Sequence, residues 1–327
     1  MPTPNLPLRR IWTLPVVALM LLALPAHSGP LEEARSLFRD GEFAQAKARL
    51  EAIDPDGPGR AQSLYYRGRI ALHNHERGRA VDLLDKAVSR QPDRADFQYW
   101  LGRAYGERAR HANIFKRVYF ALQTKDQFRK AVATDPDHLP ARVALVMYYL
   151  RAPGFMGGSR EKAEHQVEEV ARRNRVAGLL ARGMLFEETD RPDRALALYR
   201  QATEQAPQHD RPHRWLGRLL REEGRYREAF AVYADRMQAE EPDWAAFYEF
   251  ALTAYRSGQL LEQAQHRLRR YLDHGSAPEH PSRADALILL GQILEKQERT
   301  RQARMAFHDA LEQAPHHPEA AEARAAM

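Results

Sequence analysis

The chain of 327 residues contains no cysteine. That absence excludes disulfide staples, thiolate nucleophiles, zinc–thiolate centres and a lipid anchor on an N-terminal cysteine. Other chemical signatures are missing too. No G-x-S-x-G turn lifts a serine, and none of the fourteen histidines falls in an H-E-x-x-H helix. His73 and His75 fall in a turn, while His316 and His317 follow Pro315. Without a carboxylate at ligand spacing, these histidines read as solvated loop residues. The stretch Gly154-Phe155-Met156-Gly157-Gly158-Ser159 has no following Lys-Ser or Lys-Thr and no preceding strand. It therefore reads as a mobile inter-helix loop rather than a phosphate cradle, with Ser159 placed to cap the next helix. Together these absences predict a protein that is not an enzyme and uses no cofactor and no metal.

Charge is present but not concentrated. Charged residues make up 29% of the chain and the formal net charge is +6. Near the N-terminus, Arg9-Arg10 precedes the uncharged stretch Ile11 to Leu24, and Pro25-Ala26-His27-Ser28-Gly29 follows. A positive start, an apolar core of about 7–15 residues and a small-x-small site form an export leader. Cleavage after Ser28 is expected, giving residues 1–28 as leader and a periplasmic or secreted mature chain. An uncleaved inner-membrane anchor is the alternative, but the stretch is shorter than the roughly 20 residues that span a bilayer. Cleavage removes two arginines and no acid, lowering the formal charge to +4. So modest and dispersed a charge, on an exported chain, disfavours nucleic acid as a partner.

What the chain does have is a period. Gly68 to Gly102, Gly183 to Gly217 and Gly217 to Ala251 are each 34 residues apart. Registers begin near 27, 61, 95, 137, 176, 210, 244 and 284, and the eighth position is always small: Ala34, Gly68, Gly102, Ala144, Gly183, Gly217, Ala251, Gly291. Further small residues recur at Ala46, Ala80, Ala163, Ala195, Ala229, Ala264 and Ala303. The two sets are expected to face each other where paired helices cross. Bulky residues (Leu50, Leu84, Phe128, Val167, Tyr199, Tyr233, Leu268, Phe307) are expected to fill the gaps between neighbouring repeats. Pro58, Pro92, Pro136, Pro207, Pro242 and Pro315 close the second helices.

These residues resemble the tetratricopeptide repeat, a unit of two antiparallel helices. The resemblance implies an all-α fold: a right-handed α-solenoid of stacked antiparallel helix pairs, forming one domain over residues 29–327. Two segments break the period. Residues 108–122 lengthen the third repeat, and their apolar positions, Ile114, Phe115, Val118, Tyr119 and Leu122, have helical spacing. Ile114, Val118 and Leu122 are expected to pack against this repeat or the next. Residues 152–159 form the second insertion.

Ligands of this family lie in the concave groove, on positions two, five, nine and twelve of each first helix. Carried over, those positions give Tyr65 and Arg69, Tyr99 and Arg103, then Arg211, Arg214, Arg218 and Arg221, and finally Tyr248 and Tyr255, with Arg256 adjoining. The four arginines are spaced three, four and three, so they leave one helix face. A guanidinium fork suits carboxylate, and tyrosine supplies flat contact area. The expected partner is a protein bearing an acidic extended peptide or helix, in envelope assembly or secretion. The lysine–asparagine set of the chaperone-type carboxylate clamp is absent. Glycan binding or catalysis in the arginine–tyrosine groove is the rival reading. The basic segment 103–130, interleaved with Phe115, Tyr119 and Phe120, offers a peripheral membrane contact, although its aromatics are expected to pack inward.

Overall fold

The computed structural model describes residues 29–275 and 277–315, with 317, 319 and 325. The expected leader and most of the tail beyond Pro315 lie outside the described residues. Sixteen α-helices are described, alternating as first and second helices of pairs. They are α1 (Pro30–Arg39) and α2 (Phe43–Glu51), α3 (Arg60–His73) and α4 (Arg77–Arg90), α5 (Ala95–Arg110) and α6 (Ile114–Thr134), α7 (Leu139–Arg151) and α8 (Arg160–Arg173). The second half holds α9 (Arg175–Glu187) and α10 (Pro192–Gln205), α11 (Asp210–Glu222) and α12 (Tyr226–Met237), α13 (Trp244–Ser257) and α14 (Leu261–His274), α15 (Arg283–Lys296) and α16 (Thr300–Gln313). No described residue lies in a strand, and no described helix is long and apolar enough to cross a membrane.

The small eighth position has a direct steric cause. A Cβ on Gly183 would lie 2.2 Å from the Tyr199 ring, and one on Gly217 would lie 2.5 Å from Tyr233. Gly68 stands likewise against Leu84, Gly102 against Phe128 and Gly291 against Phe307. Leu84, Phe128, Tyr199, Tyr233 and Phe307 therefore seat on the glycine of their own repeat, a contact that the expected filling of the gap between neighbouring repeats did not include. The alanines of the second helices are fully buried beside them.

Successive first helices touch: α1 with α3, α3 with α5, α7 with α9, α9 with α11, α11 with α13 and α13 with α15. Second helices do not pack on one another in this way, so the first helices form the inside of the curve. The step between α5 and α7 is the weakest, although the His138 ring at the start of α7 reaches Asp96 of α5 at 3.1 Å. It coincides with the insertions. The core is continuous from Leu180 to Ala310, but splits into small clusters between Ala95 and Ala181.

The extended third repeat is helical, as its spacing predicts, with a break at residues 111–113. Asn113 caps α6 by accepting the Lys116 amide at 3.1 Å. The expected burial is not found. Ile114 is 64% exposed, Phe115 86%, Tyr119 55% and Leu122 38%, while Val118 is half-buried. The reason is geometric. The buried face of α6 is Phe120, Thr124, Gln127, Phe128 and Ala131, and Ile114, Val118 and Leu122 form a stripe on another side. Of the interleaved aromatics, only Phe120 packs inward.

Residues 152–159 are a pinned turn rather than a mobile loop. The Met156 carbonyl accepts from Lys125 Nζ and from the Tyr148 hydroxyl, both at 2.9 Å. Gly158 is required there, because its Cβ would meet the Ala152 carbonyl at 1.7 Å. Ser159 caps α8 by accepting the Lys162 amide at 3.2 Å.

Candidate functional site

Where α5 and α7 part, the two insertions meet and enclose a groove of about 690 Å³. One wall is α5, with Tyr99, Arg103 and Arg110; the overhanging start of α6 brings Ile114, Arg117 and Val118. Opposite them stand Met147, Tyr148 and Arg151 of α7, then Phe155 and Met156 of the pinned turn. Phe155 is 80% exposed at the lip. The floor is apolar and the rim cationic. Among the described residues Glu107 is the one acid lining the groove, and it is already shared by Arg77 at 3.5 Å, by Arg110 and by His111 at 3.2 Å. Desolvation, then the like charges of Arg103, Arg77 and Arg151, push Arg110 below its ordinary value. Arg151 pairs with Glu188 at 2.5 Å, and Arg103 lies 4.4 Å over the Trp100 ring. An apolar cleft of this size, with charged groups converging on it, has the usual form of a ligand site.

The eleven residues expected from the repeat positions are not brought into one site. Tyr99 and Arg103 line the groove just described. Tyr65 is buried, stacked 4.6 Å from Phe97, and burial raises its hydroxyl to about 12. Arg69 is held by aromatic faces, 4.6 Å from Phe38 and 4.0 Å from Trp100. Tyr248, Tyr255 and Arg256 line a separate polar cleft of about 280 Å³ with Asp285 and Glu319.

The arginine stripe on α11 does leave one face, but half its charge is matched from within. Arg218 reaches both Glu187 oxygens at 2.7 Å and Glu222 at 2.6 Å. Glu187 also accepts the Tyr199 hydroxyl. Arg221 meets Glu249 at 2.6 Å. Burial opposes the charge on both arginines, but these carboxylates outweigh it and raise them above the ordinary value. Arg211 is exposed and Arg214 half-buried, with no ion pair among the described residues. Of the groove's other cations, Arg110 and Arg117 belong to the basic segment 103–130 read as a membrane contact, and Arg151 was missed because it lies outside the repeat positions. Their signal was the break in period itself.

A second feature joins the ends of the solenoid. His75, in the α3–α4 turn, lies 3.1 Å from Asp285 of α15, 210 residues away, and His317 lies 2.9 Å from the same oxygen. Arg69 approaches Glu279 at 4.0 Å across the same junction. The two histidines are thus not the solvated loop residues expected of them; His317 is buried and His75 half-buried. Burial raises the Asp285 carboxyl, but hydrogen bonds from His317 and His75 outweigh it and hold the group well below the carboxylate range.

Solved structures that resemble this chain are helical repeat proteins. A thermophilic tetratricopeptide-repeat protein of Thermus thermophilus is 23% identical over 58% of this chain and 97% of its own, with a TM-score of 0.49. A tetratricopeptide-repeat protein of Parabacteroides merdae is 14% identical over 91% of this chain and 96% of its own, with a TM-score of 0.42. The Cut9–Hcn1 heterotetramer of the APC/C is 16% identical over 91% of this chain and 55% of its own, with a TM-score of 0.44. None superposes closely enough to bear on the site. No curated protein matches the sequence. The tetratricopeptide-repeat family model matches residues 31–76, 74–113, 156–209, 180–242 and 248–318, leaving out 114–155, which supply two walls of the groove. Matched over well more than half its length, the chain belongs to the tetratricopeptide-repeat family.

Proposed function

We propose that this protein is an exported scaffold that holds a protein partner by a short segment of bulky apolar residues flanked by acids. That segment seats in the groove between α5, α6, α7 and the 152–159 turn. Repeats of this family generally mediate protein–protein interaction. The observation that carries the reading is the groove's composition: an apolar floor rimmed by Arg103, Arg110, Arg117 and Arg151, with one acid already shared. Apolar side chains on the partner would cover Val118, Met147 and Phe155, and carboxylates would meet the guanidinium forks. This moves the centre of binding away from α11, where Glu187, Glu222 and Glu249 already occupy Arg218 and Arg221. The leader-like N-terminus supports export, and with it a role in envelope assembly or secretion.

A photo-crosslinker at position 147, which also lines the groove, tests this in the native cell envelope. It should capture a protein whose joined peptide carries Asp or Glu beside Leu, Phe or Trp. The same material should begin at Gly29 on N-terminal sequencing. Charge-assisted bonds contribute roughly 1.5–3 kcal/mol each, so Arg103→Glu with Arg117→Glu should reduce capture more than tenfold. Ile114→Ser with Phe155→Ser should do the same, with helicity and melting temperature unchanged because these side chains are exposed. Capture at wild-type level by both folded double variants would sink the assignment of the groove.

A further inference from the structure

The junction between the two ends of the solenoid is thin. Its helices do not pack as neighbours do; the contact is made by side chains, from α3 and α15 and from the turns beside them. At its centre the Nε2 atoms of His75 and His317 approach the same Oδ1 of Asp285, and the three atoms lie within 4.8 Å of one another. The imidazole rings stand edge to face at 4.6 Å.

This donor set has the chemistry of a metal site. Two imidazoles and a carboxylate suit zinc and its neighbours, with water completing a tetrahedron. Ligand atoms about 2.0–2.1 Å from a tetrahedral ion stand roughly 3.3 Å apart. The observed 2.9 and 3.1 Å need only small adjustments to reach that spacing. The carboxylate is also oriented from behind: its other oxygen accepts the Ser282 amide at 2.7 Å and hydroxyl at 2.6 Å. Such outer partners are typical of ligating carboxylates. Access exists on two sides, since Asp285 lines both the cleft of about 280 Å³ bearing Tyr248 and Glu319 and another of about 270 Å³ bearing Arg69 and Glu279.

We propose that His75, Asp285 and His317 bind one divalent transition-metal ion, zinc in the first instance, which fastens the first repeats to the last. Two protons must move, one on each ring. His317 Nδ1 accepts the Glu319 amide at 3.1 Å, so the ring proton sits on Nε2 and points at Asp285. The ion takes that position, the proton passes to Nδ1, and the Glu319 amide turns aside; His75, whose Nε2 donates to the same carboxylate, shifts its proton to Nδ1 likewise. No net proton is released at a neutral imidazole. The adjustment is local, because His317 follows the last described full helix rather than lying within it.

The alternative is a purely hydrogen-bonded clasp, and glutamine separates the two. A glutamine at 75 or 317 retains a donor for Asp285 but offers no imidazole. The experiment uses the untagged mature chain, stripped with chelator and titrated with zinc chloride in a calorimeter. One equivalent should bind and raise the melting temperature, and cobalt should give the visible absorption of a tetrahedral site. His75→Gln and His317→Gln should each weaken zinc binding at least tenfold while leaving the metal-free melting temperature near wild type. His308→Ala, in the exposed His308–Asp309–Glu312 cluster on α16, should change nothing. The proposal is overturned if the wild type takes up no zinc, or if either glutamine variant binds it as tightly. Zinc uptake abolished by His308→Ala alone would overturn it as well, by assigning the binding to the surface cluster.

Discussion

The repeats from α9 to α16 and the pair of repeats from α5 to α8 use the same kind of residues differently. In the first region the apolar surface closes on itself: one core runs from Leu180 to Ala310, and Tyr199 and Tyr233 are fully buried over their glycines. In the second, the core is broken into small clusters and Ile114, Phe115, Tyr119 and Phe155 face outward. Arginines follow the same division. Those of α11 are matched by carboxylates of α9 and α13, whereas Arg103, Arg110 and Arg117 line a groove whose one described acid, Glu107, is already shared by Arg77, Arg110 and His111. Where a repeat keeps its period, each side chain finds its complement one repeat away. Where the period is broken, the surplus surface remains available to another molecule.

The contrast is sharpest in the packing of the regular half. Tyr233→Ala should destabilise the chain by about 3–5 kcal/mol, since it empties a fully buried site. Gly217→Ala should cost about 1–3 kcal/mol through overpacking against the same ring, less the gain in helix propensity. Gly78→Ala, where a Cβ meets nothing within 4 Å, should instead stabilise by up to about 0.5–1 kcal/mol. Thermal and urea unfolding of the three variants measure this directly. If Gly217→Ala proved as stable as wild type, the steric account of the eighth position would be wrong.

Next in size is the charge network. Arg218→Ala leaves Glu187, a largely covered carboxylate, without its strongest partner, and about 1–3 kcal/mol of stability should be lost. Arg211→Ala, on the same stripe but exposed, should fall within about 0.5 kcal/mol of wild type. Equal effects at the two positions would dissolve the distinction between matched and open arginines.

A separate effect, read against pH, is expected at His280. Burial, then the charge of Arg214, lowers this imidazole to about 4, and its Nδ1 is buried with no hydrogen-bond partner among the described residues. The unfolded chain takes up a proton near pH 6.5 while the folded chain resists until about pH 4. Stability therefore falls as pH drops through that interval, and His280→Phe should flatten the fall by on the order of 1–3 kcal/mol. A wild-type melting temperature with the same pH slope as the variant would remove His280 from the account.

Much of the fold was legible because a solenoid is held by nearest neighbours. A glycine at one register predicts room for a ring on the following helix, and Pro92 or Pro207 marks where a second helix has ended. Helicity in the extended repeat was legible for the same reason. Its burial was not, because α6 outruns the helix it packs against, and period alone does not say which turns overhang. The pairing of Arg218 with Glu187 was in principle readable at an offset of 31 residues, since neighbouring first helices touch.

By itself, then, the sequence determined the helix pairs, their order and the small-against-bulky contacts that stack them, because each of these depends on residues one helix or one repeat apart. Only the tertiary structure decided that two insertions would face each other across a gap between α5 and α7. Only it decided that His75 would arrive at Asp285, 210 residues away. Both outcomes are sums of small rotations from repeat to repeat, and no local pattern of residues states such a sum.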